Sequence, residues 1–310
     1  ADEESVGASP AGAEARPAGV DAAEATVTTA DTAATATPAS PAAPLLSVRD
    51  LTRVYARPEA TAEGRADVIG IEGVSFDVAE GSTHGVVGES GSGKTTLGKA
   101  IAGLIAPDSG TAVVAGYDVA RLGKRERREF RRTVQLVHQN PYTAIDPKFT
   151  IAAAIEEPLV NFRIGTRAER RARVAEVMEQ VALPAELAGR RPRELSGGQL
   201  QRVAIARALV IEPRLVVFDE AVSALDVTVQ AQILRLLERL QRELDLTYLF
   251  ISHDLAVVRQ ISDTVSVVSR GHQVESGPAG EIFERPRDPY TRRLLSAIPR
   301  PLGAVSGPSR

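Results

Sequence analysis

The chain has 310 residues and a formal net charge of −3, which is enough length for one large domain or two ordinary ones. It contains no cysteine, so disulfides, thiolate metal sites and iron–sulfur clusters are excluded. Its apolar runs are too short to span a bilayer and no signal peptide is recognisable, so we expect a soluble, cytoplasmic protein that reaches a membrane only through a partner.

Residues 1–44 differ in composition from the rest of the chain. They consist mainly of Ala, Thr, Pro, Glu and Asp; seven acids and one base give this segment a charge of −6 and leave +3 for the remainder. A segment with so few large apolar side chains cannot offset the entropy of ordering, so we predict a disordered tail, with an acidic docking arm as the alternative. A charge of +3 is too weak to indicate a nucleic-acid surface, so we expect no nucleic-acid partner.

The globular pattern begins after this tail. Alternation of apolar and polar residues over 46–49 and 74–78 predicts two antiparallel strands, joined by a polar, Gly/Pro/Ala-rich loop at 57–68. Residues 83–87 predict a short buried strand, and residues 95–105 predict a helix. The segment between this strand and this helix is rich in glycine, which is the context that a phosphate-binding loop requires.

That segment matches G-x-x-x-x-G-K-[ST] in full and is called the phosphate loop (Gly88–Thr95) below. Small residues let successive backbone N–H groups point at phosphates. Lys94 supplies a charge for the β and γ oxygens, and the Thr95 hydroxyl is placed for Mg²⁺. The predicted nucleotide-binding residues here are Gly88, Glu89, Ser90, Gly91, Ser92, Gly93, Lys94, Thr95 and Thr96.

Apolar runs and helical patterns alternate over the rest of the chain. Residues 214–218 and 248–251 are continuous apolar runs, whereas helical periodicity recurs over 167–183 and about 229–244. This alternation predicts a mostly parallel sheet that is covered on both faces.

A run of charged residues spans 121–132. We interpret it as the solvated face of a helix with Phe130 packed inward. A nucleic-acid patch would require interleaved aromatic residues and a basic domain.

Two acids end one of the apolar runs. Asp219 and Glu220 directly follow Leu215–Phe218. One carboxylate can hold a metal ion through a water, and the next can orient or deprotonate an attacking water. The pattern is weak alone, but downstream of a phosphate loop it predicts the hydrolytic half of a nucleotide site.

A second Ser/Gly-rich loop precedes a helix at residues 195–199. Ser196 and the backbone amides of Gly197 and Gly198 lie at the positive end of the helix dipole, which favours an anion. A plain helix cap explains the same residues, but beside the other motifs we interpret them as an anion site. Because the chain offers this site no phosphate of its own, we expect ATP to be shared between two facing nucleotide domains.

Three single residues complete the set. Gln139 follows an apolar segment where a strand gives way to a loop, and His253 ends the last core strand, where it can reach a γ-phosphate. Tyr55 can stack on adenine, with core packing of a strand aromatic as the alternative. The other histidines are interpreted as structural.

Together these motifs resemble the nucleotide-binding subunit of an ATP-binding cassette (ABC) transporter over about residues 46–302. The resemblance implies an α/β fold: a P-loop NTPase (RecA-like) core with an antiparallel β-subdomain and an inserted α-helical subdomain. It implies that the phosphate loop is the Walker A loop and that residues 215–220 are Walker B, with Glu220 as the catalytic base.

The resemblance also assigns the remaining residues. By this resemblance residues 195–199 are the signature, whose residues Ser196, Gly197, Gly198 and Gln199 act on a nucleotide held by another subunit. Asp226 belongs to the D-loop. Gln139 becomes the Q-loop residue, His253 the switch histidine and Tyr55 the adenine-stacking aromatic. The implied Mg²⁺ residues are Thr95, Gln139 and Asp219.

Two further segments narrow the family. Residues 139–147 resemble the Q-loop of oligopeptide/dipeptide importers, and residues 281–299 resemble their C-terminal extension. The signature and Walker B surroundings look like the F-type subunit of these importers. Asp288 stands where the family commonly has His, and Ala221-Val222 replace a frequent Pro-Thr. Some relatives hold an iron–sulfur cluster in the extension, which this cysteine-free chain cannot.

The resemblance implies an organisation and a set of partners. We expect a disordered tail at 1–44, an ABC ATPase domain at 45–262 with its helical subdomain at about 140–200, and a C-terminal extension at 263–310. ATP and Mg²⁺ are the expected cofactors. The expected partners are two transmembrane permease subunits, a second ATPase subunit forming a heterodimer and, indirectly, an extracytoplasmic solute-binding protein. The protein would lie peripherally on the cytoplasmic face of the cell membrane.

The function expected from this resemblance is ATP hydrolysis that powers the import of oligopeptides or dipeptides. Nickel, glutathione and sugar oligomers stay open as cargo, because the binding protein and permeases choose it. A soluble non-transport ABC ATPase is an alternative, although the chain has one cassette, no sustained heptads and no basic arm. A non-catalytic regulatory subunit is another, although every catalytic position holds a competent residue.

Overall fold

A computed structural model describes residues 43–55 and 69–296. The predicted disordered tail lies outside the described residues except for its last two positions. The predicted loop at 57–68 and the last residues of the predicted C-terminal extension, 297–310, lie outside them as well.

Ten strands among the described residues form one sheet. They are β1 (Leu46–Tyr55), β2 (Ile69–Val78), β3 (Thr83–Val87), β4 (Ser109–Val114), β5 (Tyr117–Asp118), β6 (Val134–Val137), β7 (Leu215–Asp219), β8 (Thr247–Ser252), β9 (Thr264–Ser269) and β10 (His272–Pro278). Their order across the sheet is β5-β4-β1-β2-β10-β9-β3-β8-β7-β6.

The sheet has two halves of different character. From β9 to β6 each strand runs parallel to its neighbour, and β3, β7 and β8 are buried along their whole length. From β5 to β2 the strands are antiparallel; β1 and β2 pair from Leu46↔Val78 to Tyr55↔Ile69, with two shifts of register between Val48 and Arg53. The continuous apolar runs therefore form the parallel half, and the alternating segments form the antiparallel half, as predicted.

Ten α-helices surround the sheet in the described part of the chain. They are α1 (Lys94–Ile101), α2 (Lys124–Thr133), α3 (Pro141–Ala144), α4 (Ile151–Phe162), α5 (Arg167–Gln180), α6 (Gly197–Leu209), α7 (Val227–Leu244), α8 (Leu255–Ile261), α9 (Ala279–Glu284) and α10 (Pro289–Ser296). Helices α3 to α5 lie within the region predicted for the helical subdomain, about 140–200, and α6 begins at its end and continues to Leu209.

The predicted helix bounds were wrong by a few residues in three places. Helix α1 ends at Ile101 rather than near 105, because Gly103 turns the chain with a φ of 67°. Helix α5 ends at Gln180, before Ala182 with its φ of 52°. Helix α7 begins at Val227, because the Asp226 carboxylate accepts a hydrogen bond from Val229 N at 2.9 Å and caps the helix.

Two side chains that the sequence assigned to packing lie in the interior. Phe130 of α2 is fully buried, with its ring edge toward Tyr117 at a centroid distance of 6.1 Å. His84 of β3 stacks on Phe76 at 4.1 Å, and its ring nitrogens lie 2.7 and 2.9 Å from the hydroxyls of Thr264 and Ser266. Burial lowers the pKa of His84 to about 3, so this histidine is a neutral structural residue.

Candidate active site

The phosphate loop joins β3 to α1 through a backbone that only glycine fits. Gly88, Gly91 and Gly93 have φ values of 155°, 81° and 104°. A Cβ at Gly88 would lie 2.0 Å from Val268 O, and one at Gly93 would lie 2.1 Å from Gly70 O. The strand–loop–helix context predicted from the motif is therefore present, with the loop pressed against neighbouring backbone on two sides.

Lys94 is the first residue of α1 and is 4% exposed. Its Nζ donates to the carbonyl oxygens of Gly88 and Glu89, both at 2.8 Å. Burial lowers the pKa of Lys94, and the carboxylates of Glu220 and Asp219 oppose that shift. Since Glu89, Ser90 and Gly91 are exposed, the rim of the loop is open to solvent.

Thr95 and Asp219, two of the residues predicted to hold Mg²⁺, lie in contact. Thr95 Oγ1 donates to Asp219 Oδ1 at 3.0 Å, and Asp219 is 6% exposed. Burial raises the pKa of Asp219, whereas the Thr95 hydrogen bond lowers it. A hydroxyl beside a desolvated carboxylate is a donor set that suits Mg²⁺, which takes few protein ligands and shares the rest with water and phosphate. Thr96, one position further along α1, is half-buried.

Two predicted residues converge on a carboxylate oxygen of a third. Gln139 Nε2 donates to Glu220 Oε2 at 3.2 Å, and His253 Nδ1 lies 3.2 Å from the same oxygen. The three residues follow β6, β7 and β8, which are adjacent parallel strands, so their carboxyl ends meet at one edge of the sheet.

A strained backbone at Glu220 accompanies this convergence. Its φ is 51°, in the left-handed region, and its N–H donates to Ile251 O at 2.9 Å. Ser223 Oγ donates to Glu220 O at 2.9 Å, and Gln139 Nε2 lies 3.4 Å from that hydroxyl. The predicted site residues did not include Ser223.

A polar cavity of about 480 Å³ adjoins these residues. Thr95 and Asp219 line one part of it, and Gln139, Asn140 and Thr143 line another. The predicted metal residues and the start of the helical region therefore border the same space.

Ser196 caps its own helix, and the interpretation of this loop as an anion site stays a prediction. Ser196 Oγ accepts from Gln199 N at 3.3 Å, and Gln199 Oε1 accepts from Ser196 N at 2.9 Å, so the two residues form a capping box. Gly197 and Gly198 begin α6. A Cβ at Gly198 would lie 2.5 Å from Val229 Cγ1, whereas one at Gly197 would lie 3.6 Å from Leu225. Gly198 therefore also allows close packing of α6 on α7.

Comparison with known proteins identifies the family. A family model described as ABC transporter matches residues 71–223, and one described as oligopeptide/dipeptide transporter, C-terminal region, matches residues 274–306. A putative peptide import ATP-binding protein of Brucella ovis is 48% identical over 258 residues, which are 83% of this chain and 80% of that protein. This chain belongs to the ABC transporter family, as an ATP-binding subunit.

Further relatives and a solved structure agree with this family. The di/tripeptide transport ATP-binding protein DppF of Pseudomonas aeruginosa is 46% identical over 82% of this chain and 79% of its own length. The glutathione import ATP-binding protein GsiA of Pectobacterium atrosepticum is 45% identical over 86% of this chain, but only 42% of GsiA is covered. An ATP-binding cassette solved as a dimer in a post-hydrolysis state, bound to ADP and Pi, is 28% identical with a TM-score of 0.66, covering 76% of this chain and 98% of that one.

Membership of this family assigns a function to the chain. The chain binds ATP and is an ATPase, and the fold is the P-loop ABC fold that the sequence predicted. None of the helices among the described residues combines the length and apolarity that crossing a membrane requires.

Tyr55 and Asp226 make contacts of a different kind. Tyr55 ends β1 opposite Ile69, and the Arg53 guanidinium lies 4.9 Å from its ring centroid. A cation thus already stacks on this ring, and adenine stacking stays a prediction. Asp226 is exposed and caps α7, as described above.

Proposed function

We propose that this chain is the ATP-hydrolysing subunit of an ABC importer for oligopeptides or dipeptides, driven by ATP-dependent dimerisation. The observation that carries the catalytic part is the convergence of Gln139 and His253 on Glu220 Oε2. The cargo assignment rests on relatives named as peptide import ATP-binding proteins and on the C-terminal match to the oligopeptide/dipeptide transporter family.

In this mechanism the phosphate loop binds ATP, and Gln139, Glu220 and His253 (the Glu220 cluster) hydrolyse it. Backbone N–H groups of residues 88–96 and the Lys94 ammonium hold the phosphates. Thr95 and Asp219, with Gln139, would hold Mg²⁺, which supplies charge neutralisation when bound. Glu220 orients the attacking water and accepts its proton, while His253 contacts the γ-phosphate. Gln139, bonded to Glu220 before reaction, is placed to change partner as the site closes.

The signature acts on a nucleotide held by a second ATPase subunit. Ser196 and the amides of Gly197, Gly198 and Gln199 form a neutral helix N-terminus that suits an anion, and the solved relative is a dimer. The Ser196 hydroxyl accepts within the capping box, so its own proton is free to be donated to a γ-phosphate. Asp226 would approach the partner from the D-loop. The F-type features favour a heterodimer of two different ATPase subunits.

Transport requires partners that cross the membrane. We infer two permease subunits, which hold this chain at the cytoplasmic face, and a solute-binding protein that contacts only the permeases. Tyr142, 54% exposed, lies three residues from Gln139 and offers an aromatic contact beside the residue that touches Glu220. Motion at a permease contact there can reach the catalytic carboxylate through one side chain.

The substitution Glu220→Gln tests the catalytic assignment. The variant should bind MgATP with nearly unchanged affinity and retain ATP-dependent dimerisation, while hydrolysis by the complex falls about 10²- to 10³-fold, because the general base is lost. Steady-state ATPase and equilibrium nucleotide binding measure the two effects. The matched control is Glu72→Gln, which removes another Glu–His pair, between the exposed side chains of Glu72 and His272 at 3.7 Å. Near-normal turnover of Glu220→Gln would refute the assignment.

The cargo is tested separately. The complex, reconstituted with its permeases and solute-binding protein, should show ATPase stimulated by di- or oligopeptides. Stimulation by glutathione, nickel or sugar oligomers instead of peptides would contradict the peptide assignment and identify that compound as the cargo. Of these alternatives, glutathione is supported by the similarity to GsiA.

A further inference from the structure

The C-terminal helix α10 contacts the phosphate loop directly. The backbone N–H of Glu89 donates to Tyr290 Oη at 3.2 Å, across 201 positions of sequence. Tyr290 lies in the segment that matches the oligopeptide/dipeptide C-terminal family, outside the ABC match at 71–223. A family-specific segment thus reaches the loop that binds the nucleotide.

The position of Tyr290 is fixed by a built N-terminus of α10. Asp288 Oδ1 accepts from Tyr290 N at 2.7 Å and from Thr291 N at 3.3 Å, so Asp288 caps the helix. The Glu275 carboxylate of β10 accepts from the backbone N–H groups of Arg287 at 2.8 Å and Asp288 at 3.2 Å. Thr291 is buried to 1% exposure. Asp288, which departs from the family's usual His, therefore orients the residue that contacts the loop.

The backbone of Glu89 is held at both its N–H and its carbonyl group. Its carbonyl accepts from Lys94 Nζ at 2.8 Å, and its N–H donates to Tyr290. When Lys94 turns to the β and γ phosphates, the carbonyl loses that contact, whereas the Tyr290 contact does not depend on the lysine. The loop contains three glycines with positive φ, so it has much conformational freedom to lose on binding.

We propose that Tyr290 is a positioning residue for the phosphate loop, through which the C-terminal segment sets the affinity of this subunit for ATP. Tyr290 touches no reacting atom; its hydroxyl keeps the first half of the loop in the binding conformation while Lys94 serves the phosphates. The proposal rests on the proposed function, because it assumes that ATP binds in this loop.

The substitution Tyr290→Phe tests the proposal. It retains the ring and removes the acceptor, and the cavity of about 540 Å³ between Glu89, Arg270 and Tyr290 lets water reach the freed N–H, so the fold is kept. In the assembled transporter the KM for ATP should rise roughly two- to tenfold, the effect of one hydrogen bond, with kcat within about twofold. The Kd of the full-length chain for MgATP should rise by the same factor.

Variants of the cap and a matched tyrosine sharpen the test. Asp288→Ala should raise the KM in the same way, whereas Asp288→Asn, which can still cap, should restore it. Tyr117→Phe removes a hydroxyl that bonds Glu129 at 3.5 Å and should leave KM and kcat unchanged. An unchanged KM in Tyr290→Phe, or a fall in kcat alone, would overturn the proposal. Failure of the wild-type chain to bind ATP would refute the proposed function instead.

Discussion

Two helix N-termini in this chain were predicted to bind phosphate, and they are built differently. At α1, the phosphate loop contains a buried ammonium and a hydroxyl that is bonded to a carboxylate, and the Glu220 cluster lies on the same sheet edge. At α6, the groups are neutral: a Ser–Gln capping box and two glycines. Within residues 43–55 and 69–296, no hydrogen bond joins the signature to the phosphate loop. We therefore expect the first terminus to bind ATP by itself, whereas the second lacks the charges that would hold ATP alone.

The largest expected effect is the loss of ATP binding when the positive charge at the N-terminus of α1 is removed. Lys94→Ala should weaken MgATP binding by the isolated full-length chain on the order of 100-fold, since a charged hydrogen-bond donor to phosphate is lost. Equilibrium binding of a fluorescent ATP analogue measures it. Lys148→Ala, an exposed lysine in the loop between α3 and α4, is the control and should bind as the wild type does. Equal affinity of the Lys94→Ala chain would contradict the assignment of this loop.

The next effect separates the two termini. Ser196→Arg should leave ATP binding by the isolated chain unchanged but lower the ATPase activity of the assembled complex about tenfold or more, because we propose that the signature acts on the nucleotide of the second ATPase subunit. Thr166→Arg is the matched control, since Thr166 forms the same kind of capping box with Glu169 on α5. Loss of binding in the isolated Ser196→Arg chain would show that the signature serves its own nucleotide.

The comparison of the two helix termini also shows how much of the fold and the site could be predicted from the sequence. The phosphate loop, the acids after β7 and the parallel run of apolar strands were predictable, because each is a contiguous pattern with a local physical cause. The sequence alone could not separate a cap from an anion site at Ser196, because both require the same residues; the bond to Gln199 shows that the cap forms, and the anion site stays a prediction. The Tyr290 contact could not be predicted, since it joins residues that no local pattern relates.

The smallest effect concerns the glycines of the signature. Gly198→Ala places a Cβ 2.5 Å from Val229 Cγ1, and valine has little rotamer freedom, so we expect about 1–3 kcal/mol of destabilisation from overpacking, reduced by the higher helix propensity of alanine. Gly197→Ala meets only an ordinary 3.6 Å contact and should be neutral or stabilising by up to about 1 kcal/mol. Denaturant unfolding of both variants measures the difference.

A double mutant tests the cause of that difference. Because the clash is between residues 198 and 229, Gly198→Ala should destabilise the chain much less in a Val229→Ala background than in the wild type. The measurement compares Gly198→Ala/Val229→Ala with Val229→Ala alone. A loss of equal size in both backgrounds would assign the requirement for glycine to the helix N-terminus itself. Recovery of stability without recovery of ATPase activity in the complex would mean that Gly198 serves two needs: packing within the chain and close approach of its amide to the partner's phosphate.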